Sequence, residues 1–351
     1  MYRSALHNRF LATTLALFLI FLIATFFAWR ITSAVVEQES KNRFYQEVAD
    51  LKNRLQTRFN LYILSINGLH GFVDAKGQIT RSEWSAYIKK LGIMEKYPGI
   101  SSLIYIERVS KDSLNSFEKS VRDDTSLNPQ GYPDFKVYPE SDKEEYFAIK
   151  YIEPLEGKEQ TLGYDFSSEE KRKKMMEQSR RTGEITSTGK ITNIITQKPG
   201  FGIFLPFYDA KMIIQNSELE RMNNLRGFVY AAFRADEMFK TIIGQNDPFP
   251  NLDFEIYEND QLTAETLLYD HDPNHTISDS HLQTKETLDI DSQTWTILIC
   301  NKGSGLSLTQ SQQTLPWIVL ASGLAFSFIF LGLFLYRFKQ HLANYQIIKK
   351  V

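Results

Sequence analysis

Two uncharged apolar stretches bracket this chain and constrain its fold more than any other feature. Leu11–Trp29 runs 19 residues without a charge, and Leu315–Tyr336 runs 22. About 20 apolar residues suffice to cross a bilayer, because a helix rises about 1.5 Å per residue and the hydrocarbon core is about 30 Å thick. Both stretches are expected to span a membrane. The first exceeds the ~7–15 residues of a signal-peptide core. No clean A-x-A site follows it, which favours a retained anchor. The second has no polar face and runs into Arg337 and Lys339.

Charge orients the spans. Arg3 and Arg9 precede the first, and Arg337, Lys339, Lys349 and Lys350 follow the second, with no acid in either tail. All 42 acids lie between residues 31 and 314, against 33 of the 40 bases, a net of −9 for that segment. Basic tails stay in the cytoplasm. Both termini are therefore expected to be cytoplasmic at the inner (plasma) membrane, with the 284 intervening residues in the periplasm or outside the cell. A net charge of −2 gives no basic excess for nucleic acid. One cysteine excludes an intrachain disulfide framework and a Cys-rich metal centre.

After the first span, Phe44, Val48, Leu51, Leu55, Phe59, Tyr62, Ile66 and Leu69 recur every three or four residues, and no Pro or Gly interrupts Ile31–Asn67. That pattern predicts a long stalk helix. Its near-heptad stripe can pack on the chain's own globular part or pair with the stalk of a second chain, and a homodimer through the stalk is expected. Beyond Asn67–Gly68 the pattern becomes short and mixed. Helices are predicted at Arg81–Gly92, Lys111–Arg122, Ser168–Arg181 and Asp236–Ile243. Strands are predicted at Ser101–Val109, Tyr146–Pro154, Thr186–Gln197, Phe201–Tyr208, Arg226–Arg234, Leu252–Tyr257, Leu262–Tyr269 and Thr294–Asn301. This order of elements indicates an α+β fold.

An ordered series of short motifs then resembles the CHASE domains. It comprises Tyr97-Pro98-Gly99-Ile100, Ile106-Glu107-Arg108-Val109, Tyr151-Ile152-Glu153-Pro154, Leu162-Gly163-Tyr164-Asp165, the basic helix Lys171–Arg181 before Thr182-Gly183, Phe201–Phe207, and Gly227-Phe228-Val229 with Phe233-Arg234. The resemblance covers roughly residues 60–240. It implies an extracytoplasmic sensor of the kind found in receptor kinases and cyclases, with a long stalk helix carrying two tandem PAS-like subdomains and the ligand in the membrane-distal one. The expected organisation is a cytoplasmic tail at 1–10, a span at 11–29, a stalk at 31–69, a distal subdomain at 70–200, a proximal one at 201–314, a span at 315–336 and a short tail at 337–351. No output domain follows, so a separate cytoplasmic signalling partner or a lost module is expected.

The resemblance also suggests site residues. Plant cytokinin receptors of this family carry an Asp that hydrogen-bonds adenine, and Arg172 stands at the corresponding position. A guanidinium only donates, so it cannot receive adenine's N–H groups but suits a carboxylate or phosphate. The expected ligand is therefore an anionic small molecule. Arg172 shares a helical face with Met175, Met176 and Ser179, yet it also belongs to the basic run Lys171–Lys174, which can simply be solvated. Thr188 falls where the family has a pocket-wall residue. Asp165, between a strand and a helix, either lines the pocket or caps the turn. Tyr105, Tyr151 and Phe204 complete the candidate set as aromatic strand residues facing a core, with packing as the competing role.

Other signals are set aside. Asp270-His271-Asp272-Pro273-Asn274-His275, with His281 nearby, is metal-like in composition but reads as a loop, and no metal or other cofactor is expected. Cys300 ends the apolar run TWTILIC and is expected to be a buried small apolar residue. The sequence contains no dinucleotide, P-loop, nucleophile-elbow or zincin motif, so no catalytic residue is assigned and no enzyme is expected. The alternative to a sensor is a ligand-free, membrane-anchored dimeric assembly protein.

Overall fold

The computed structural model describes residues 2–192, 198–209, 217–244, 246–277, 282–290, 293–302 and 310–348. The chain divides into two compact units. One holds Met1–Glu47, Ser280–Leu282 and Asn301–Val351, and the other Val48–Asp279 and Gln283–Cys300.

The first element is one continuous helix, α1 (Tyr2–Lys76). It runs past Asn67–Gly68, where the pattern was expected to change, because Leu69 and Val73 extend the apolar stripe and are fully buried. It stops at Gly77, whose N–H bonds the Val73 carbonyl at 3.0 Å. Val48, Leu51, Leu55, Phe59, Tyr62 and Ile66 are buried too. Phe59 packs its ring on Trp295 (5.8 Å) and Phe201 (6.3 Å), and Tyr62 packs on Phe233 and donates to the Pro98 carbonyl at 2.6 Å. From Val48 onward the stripe expected to pair two stalks is thus buried within its own chain. Periodicity demands an apolar partner and does not say which one.

Next come α2 (Arg81–Leu91), started by a reciprocal Thr80/Glu83 capping box, and α3 (Ile93–Lys96). The Tyr97–Gly99 turn leads into β1 (Ile100–Ser110). A side chain on Gly99 would place its Cβ 2.6 Å from Met238 Cα, so only glycine fits that turn. There follow α4 (Leu114–Arg122), β2 (Glu145–Glu153), α5 (Glu170–Thr182), β3 (Thr186–Ser187), β4 (Ile191–Thr192), β5 (Pro199–Tyr208), α6 (Glu218–Asn224) and β6 (Leu225–Arg234). They build an antiparallel sheet ordered β2-β1-β6-β5-β3, with β4 also on β5. The expected subdomain boundary at residue 200 is corrected here. Strands β5 and β6 belong to the first sheet, which therefore ends at Arg234. Of the expected strand Thr186–Gln197, the described residues form only β3 and β4.

A second, four-stranded sheet follows α7 (Ala235–Ile243). It contains β7 (Leu252–Tyr257), β8 (Leu267–Asp270), β9 (Gln283–Ile290) and β10 (Gln293–Asn301), in the order β8-β7-β10-β9. It docks on α1 through Lys52–Glu286 (2.9 Å) and a two-way pairing of the Gln56 amide with the Asp289 backbone. The α+β expectation of two sheet-bearing subdomains on one long helix is met.

In the other unit α1 packs beside α8 (Gln310–Ile348). Phe10 stacks on Phe338 (4.1 Å), Phe21 meets Phe330 edge-on, and Trp29 lies near Trp317. Gly323 permits this approach, since a Cβ there would lie 2.6 Å from Thr25 Oγ1. Only 11% and 6% of the most apolar windows of the two helices are buried, which is not how a soluble core helix behaves. Both helices are long and apolar enough to cross a membrane.

Candidate functional site

The two faces of the first sheet differ. On β1, Ile104 and Ile106 point one way and Tyr105 the other, as alternation requires. The Tyr105 side carries Trp84, Tyr151 and Phe207 at ring distances of 4.9–5.8 Å, and Tyr151 donates to the Ile79 carbonyl. The opposite side meets α4, α5 and the turn at Phe166–Ser168 in one apolar core.

A cavity of about 50 Å³ lies in that second core. Its walls are apolar where Ile104, Ile149, Ile152 and Phe166 line it, and polar at Ser102, Thr161, Arg172 and Tyr230. An engineered cavity that admits benzene is about 150 Å³. A ligand larger than a few waters must therefore displace part of the wall.

Arg172 is 5% exposed, and it shares its buried face of α5 with Met175, Met176 and Ser179 as the spacing predicts. Its guanidinium pairs with Glu169 and lies over the Phe166 ring at 5.4 Å. Its Nε finds no partner among the described residues. The buried Arg180, about two turns further along the same face of the helix, is the control. It bonds Glu145 at 2.6 Å, and its Nε donates to the Met222 carbonyl at 3.0 Å. Beside Arg172 the Tyr230 hydroxyl is wholly buried, with the Arg172 guanidinium and the Thr188 hydroxyl as polar neighbours, and it completes no hydrogen bond of good geometry among the described residues. Burial pushes its pKa up, and the neighbouring Arg172 charge opposes that rise. Gly202 makes room for this hydroxyl, since a Cβ there would fall 1.7 Å from it. Buried polar atoms without partners are rare in folded proteins and point to a missing one.

Behind Ser102 stands Lys158, which donates to the Ser102 hydroxyl at 2.7 Å and to the Ser101 carbonyl. Burial, with Arg234 nearby, lowers the Lys158 pKa to about 8. Its ammonium adds positive charge near the polar end of the cavity.

The remaining expected site residues separate. Phe204 packs on Phe166 and Tyr230, one layer behind the cavity wall. The Thr188 hydroxyl accepts from Gly202 N–H and donates to the Gly189 carbonyl, both at 2.8 Å, and so fixes the strand that carries the Gly202 gap. Asp165 does not line the cavity. It is fully buried and accepts from Phe147 N–H and Ser167 N–H at 3.0 Å and from Lys143 Nζ at 2.7 Å. That is the turn-capping role. Tyr105 and Tyr151 lie on the far face of the sheet, away from this cavity, where strand parity puts them against α2. Tyr230, Ser102 and Lys158 were not read from the sequence. Tyr230 sits inside the run GFVYAAF, where one hydroxyl carries no signal of its own.

Comparison with known proteins adds the following. The family model described as the CHASE domain matches residues 77–269. No curated protein matches. Among solved structures the chain is similar to the ligand-binding domain of the Pseudomonas aeruginosa PAO1 amino acid chemoreceptor PctC in complex with GABA. That match has 9% identity over 75% of this chain and 99% of that one, with a TM-score of 0.43. It is also similar to Methyl-accepting Chemotaxis protein X, with 12% identity, 76% and 98% coverage, and a TM-score of 0.43. A third is the ligand-binding domain of Mlp24 with asparagine, with 10% identity, 83% and 98% coverage, and a TM-score of 0.35.

Proposed function

This chain belongs to the CHASE-domain family, a family of small-molecule sensors, and from that premise we propose that it is a two-span membrane receptor for a small anionic molecule. The ligand's charged group meets Arg172 and Tyr230, and its body lies along Ile104, Ile149, Ile152 and Phe166. The observation that carries this reading is the pair of buried polar groups, Arg172 Nε and the Tyr230 hydroxyl, which face each other at the polar end of an apolar cavity without completing a hydrogen bond of good geometry. An arginine presents only donors, so carboxylates and phosphates fit and adenine held through its own N–H groups does not. The basic tails support two cytoplasmic ends and an outside sensory region. Reporter fusions at residues 215 and 351 should then report opposite sides, and a shared side refutes the topology. Because α1 is continuous through the first span and its buried stripe packs on the sensory sheets, motion of the sheet around a ligand reaches the membrane and, across it, a cytoplasmic signalling partner. A homodimer through the stalk would use the exposed Leu61 and Leu64 of α1. A cysteine at position 64 should then cross-link and one at position 66 should not; no cross-link at 64 speaks for a monomer.

The test of the ligand class is thermal unfolding of the full-length protein in detergent with carboxylates, phosphates and adenines. At about 100 times its dissociation constant a ligand adds about 2.7 kcal/mol, which raises Tm by about 5–10 °C for a domain of this size. An anion-dependent shift lost in Arg172→Ala and reduced in Tyr230→Phe is expected. A shift with adenines that survives Arg172→Ala refutes the anion assignment. The small cavity favours a second reading, a ligand-free interaction module, which predicts no shift with any of these compounds.

A further inference from the structure

The second sheet gathers three metal-ligating side chains that are far apart in sequence. Asp253 lies near the start of β7, Cys300 near the end of β10, the adjoining strand, and His275 comes over from the loop after β8. Their donor atoms all lie within 4.8 Å of one another. His275 Nδ1 is 2.8 Å from Asp253 Oδ2 and 3.9 Å from Cys300 Sγ. Asp253 and Cys300 are buried, while the His275 side chain keeps 26% of its surface exposed.

We propose that Asp253, His275 and Cys300 hold a zinc ion, with a water in the fourth position on the solvent side of His275. The donor set is the first reason. A thiolate, an imidazole and a carboxylate together suit zinc among the common divalent ions, whereas calcium and magnesium take oxygen alone. Geometry is the second. Zinc bonds of about 2.0–2.3 Å put the ligand atoms of a tetrahedron about 3.3–3.8 Å apart, so the observed 2.8 and 3.9 Å are each within about half an ångström of a coordinated arrangement. Charge is the third. A carboxylate and a thiolate balance Zn²⁺, so the loaded site is neutral, as a buried site should be. On binding, the thiol proton leaves to solvent, and the neutral imidazole coordinates through Nδ1 with its one proton on Nε2.

The surroundings aim the ligands. His275 N–H bonds the Asp272 carbonyl at 2.9 Å, closing the turn that points the ring at the strands. Asp253 Oδ1 accepts from Phe254 N–H at 2.9 Å, which leaves Oδ2 facing His275. His271, in the same DHDPNH run, is held elsewhere. It bonds Asp247 at 3.1 Å and stacks on Phe254. The metal-like run set aside in the sequence thus contributes one ligand, and the other two come from strands. Its further histidine, His281, lies outside the described residues.

The experiment uses the full-length protein in detergent, reduced and stripped with a chelator, then titrated with Zn²⁺ and Co²⁺. One equivalent of zinc should bind. Cobalt should produce a thiolate-to-metal charge-transfer band in the near ultraviolet, and since Cys300 is the one cysteine of the chain, that band can come from nowhere else. Cys300→Ser should abolish the band and weaken zinc binding by at least about tenfold, and Asp253→Asn should weaken it comparably. His271→Ala should change neither. Wild-type protein that binds cobalt without the band, or that binds no metal, overturns the site whatever the variants do. Unchanged zinc affinity in Cys300→Ser overturns it as well.

Discussion

The two sheets pack on the same helix and differ in how the polar groups of their candidate sites are paired. In the first sheet the cavity face leaves Arg172 Nε and the Tyr230 hydroxyl beside each other with no hydrogen bond of good geometry among the described residues. In the second, polar groups at the edge of the core are matched with each other, His275 with Asp253 and His271 with Asp247. A buried donor or acceptor without a partner costs about 1–3 kcal/mol, so the first arrangement is relieved when a ligand arrives. The His275–Asp253 pair of the second is already satisfied and can give way to an ion, although Trp295 Nε1 on β10 is also buried without a partner among the described residues. The comparison teaches where each sheet can respond to chemistry outside the protein.

The sharpest way to break it is to ask whether the two sheets are one cooperative body. Trp295 of the second sheet packs on Phe59 of the stalk and Phe201 of the first sheet, and it is fully buried. Trp295→Ala should cost about 3–5 kcal/mol and lower a single shared melting transition. Two separate transitions, with the first sheet unaffected, would show that the sheets fold independently.

A smaller effect separates two charged residues near the cavity. Asp165→Ala removes the acceptor for two backbone N–H groups and strands Lys143, and should destabilise the unliganded protein by about 2–4 kcal/mol. Arg172→Ala should cost under about 1 kcal/mol, since its ion pair with Glu169 is partly solvated. Denaturant titration of both variants decides it. Equal losses would make Arg172 a structural residue rather than a ligand contact.

The smallest effect is a pH dependence. Lys158 has a folded pKa near 8, below its ordinary 10.5. Below pH 8 the lysine is protonated both folded and unfolded, and the folded state carries the penalty of the buried charge. Between about pH 8 and 10.5 the unfolded chain still binds a proton that the folded one has released. Stability from this group therefore rises with pH across that window. The rise should be modest, because Lys158 keeps part of its surface in water. Lys158→Met should lack it; an identical pH profile in the variant would mean that Lys158 titrates normally.

Much of the fold was legible because local rules decide it. The strands Ile100–Ser110, Glu145–Glu153, Pro199–Tyr208 and Leu225–Arg234 are β-branched and aromatic runs between turn residues, and they form where the pattern predicts. Strand β9 was not legible. Its sequence QTKETLDI buries only Leu288 and Ile290, and an edge strand needs little apolar surface to pair. The strand expected over Leu262–Tyr269 shrinks to Leu267–Asp270, because the residues before it turn through hydrogen bonds between Thr263 and Thr266.

By itself the sequence determined the two apolar spans, the continuous stalk helix, the α+β content and the shared face of Arg172, Met175, Met176 and Ser179. Each follows from periodicity and composition within one element. Only the tertiary structure decided what the stalk stripe packs on, which face of the first sheet holds the cavity, and that His275 meets Asp253 and Cys300 rather than its neighbours in DHDPNH. Alternation along a strand defines two faces and helical spacing defines a stripe, but neither names its partner. That choice is made by contacts between residues tens to hundreds of positions apart.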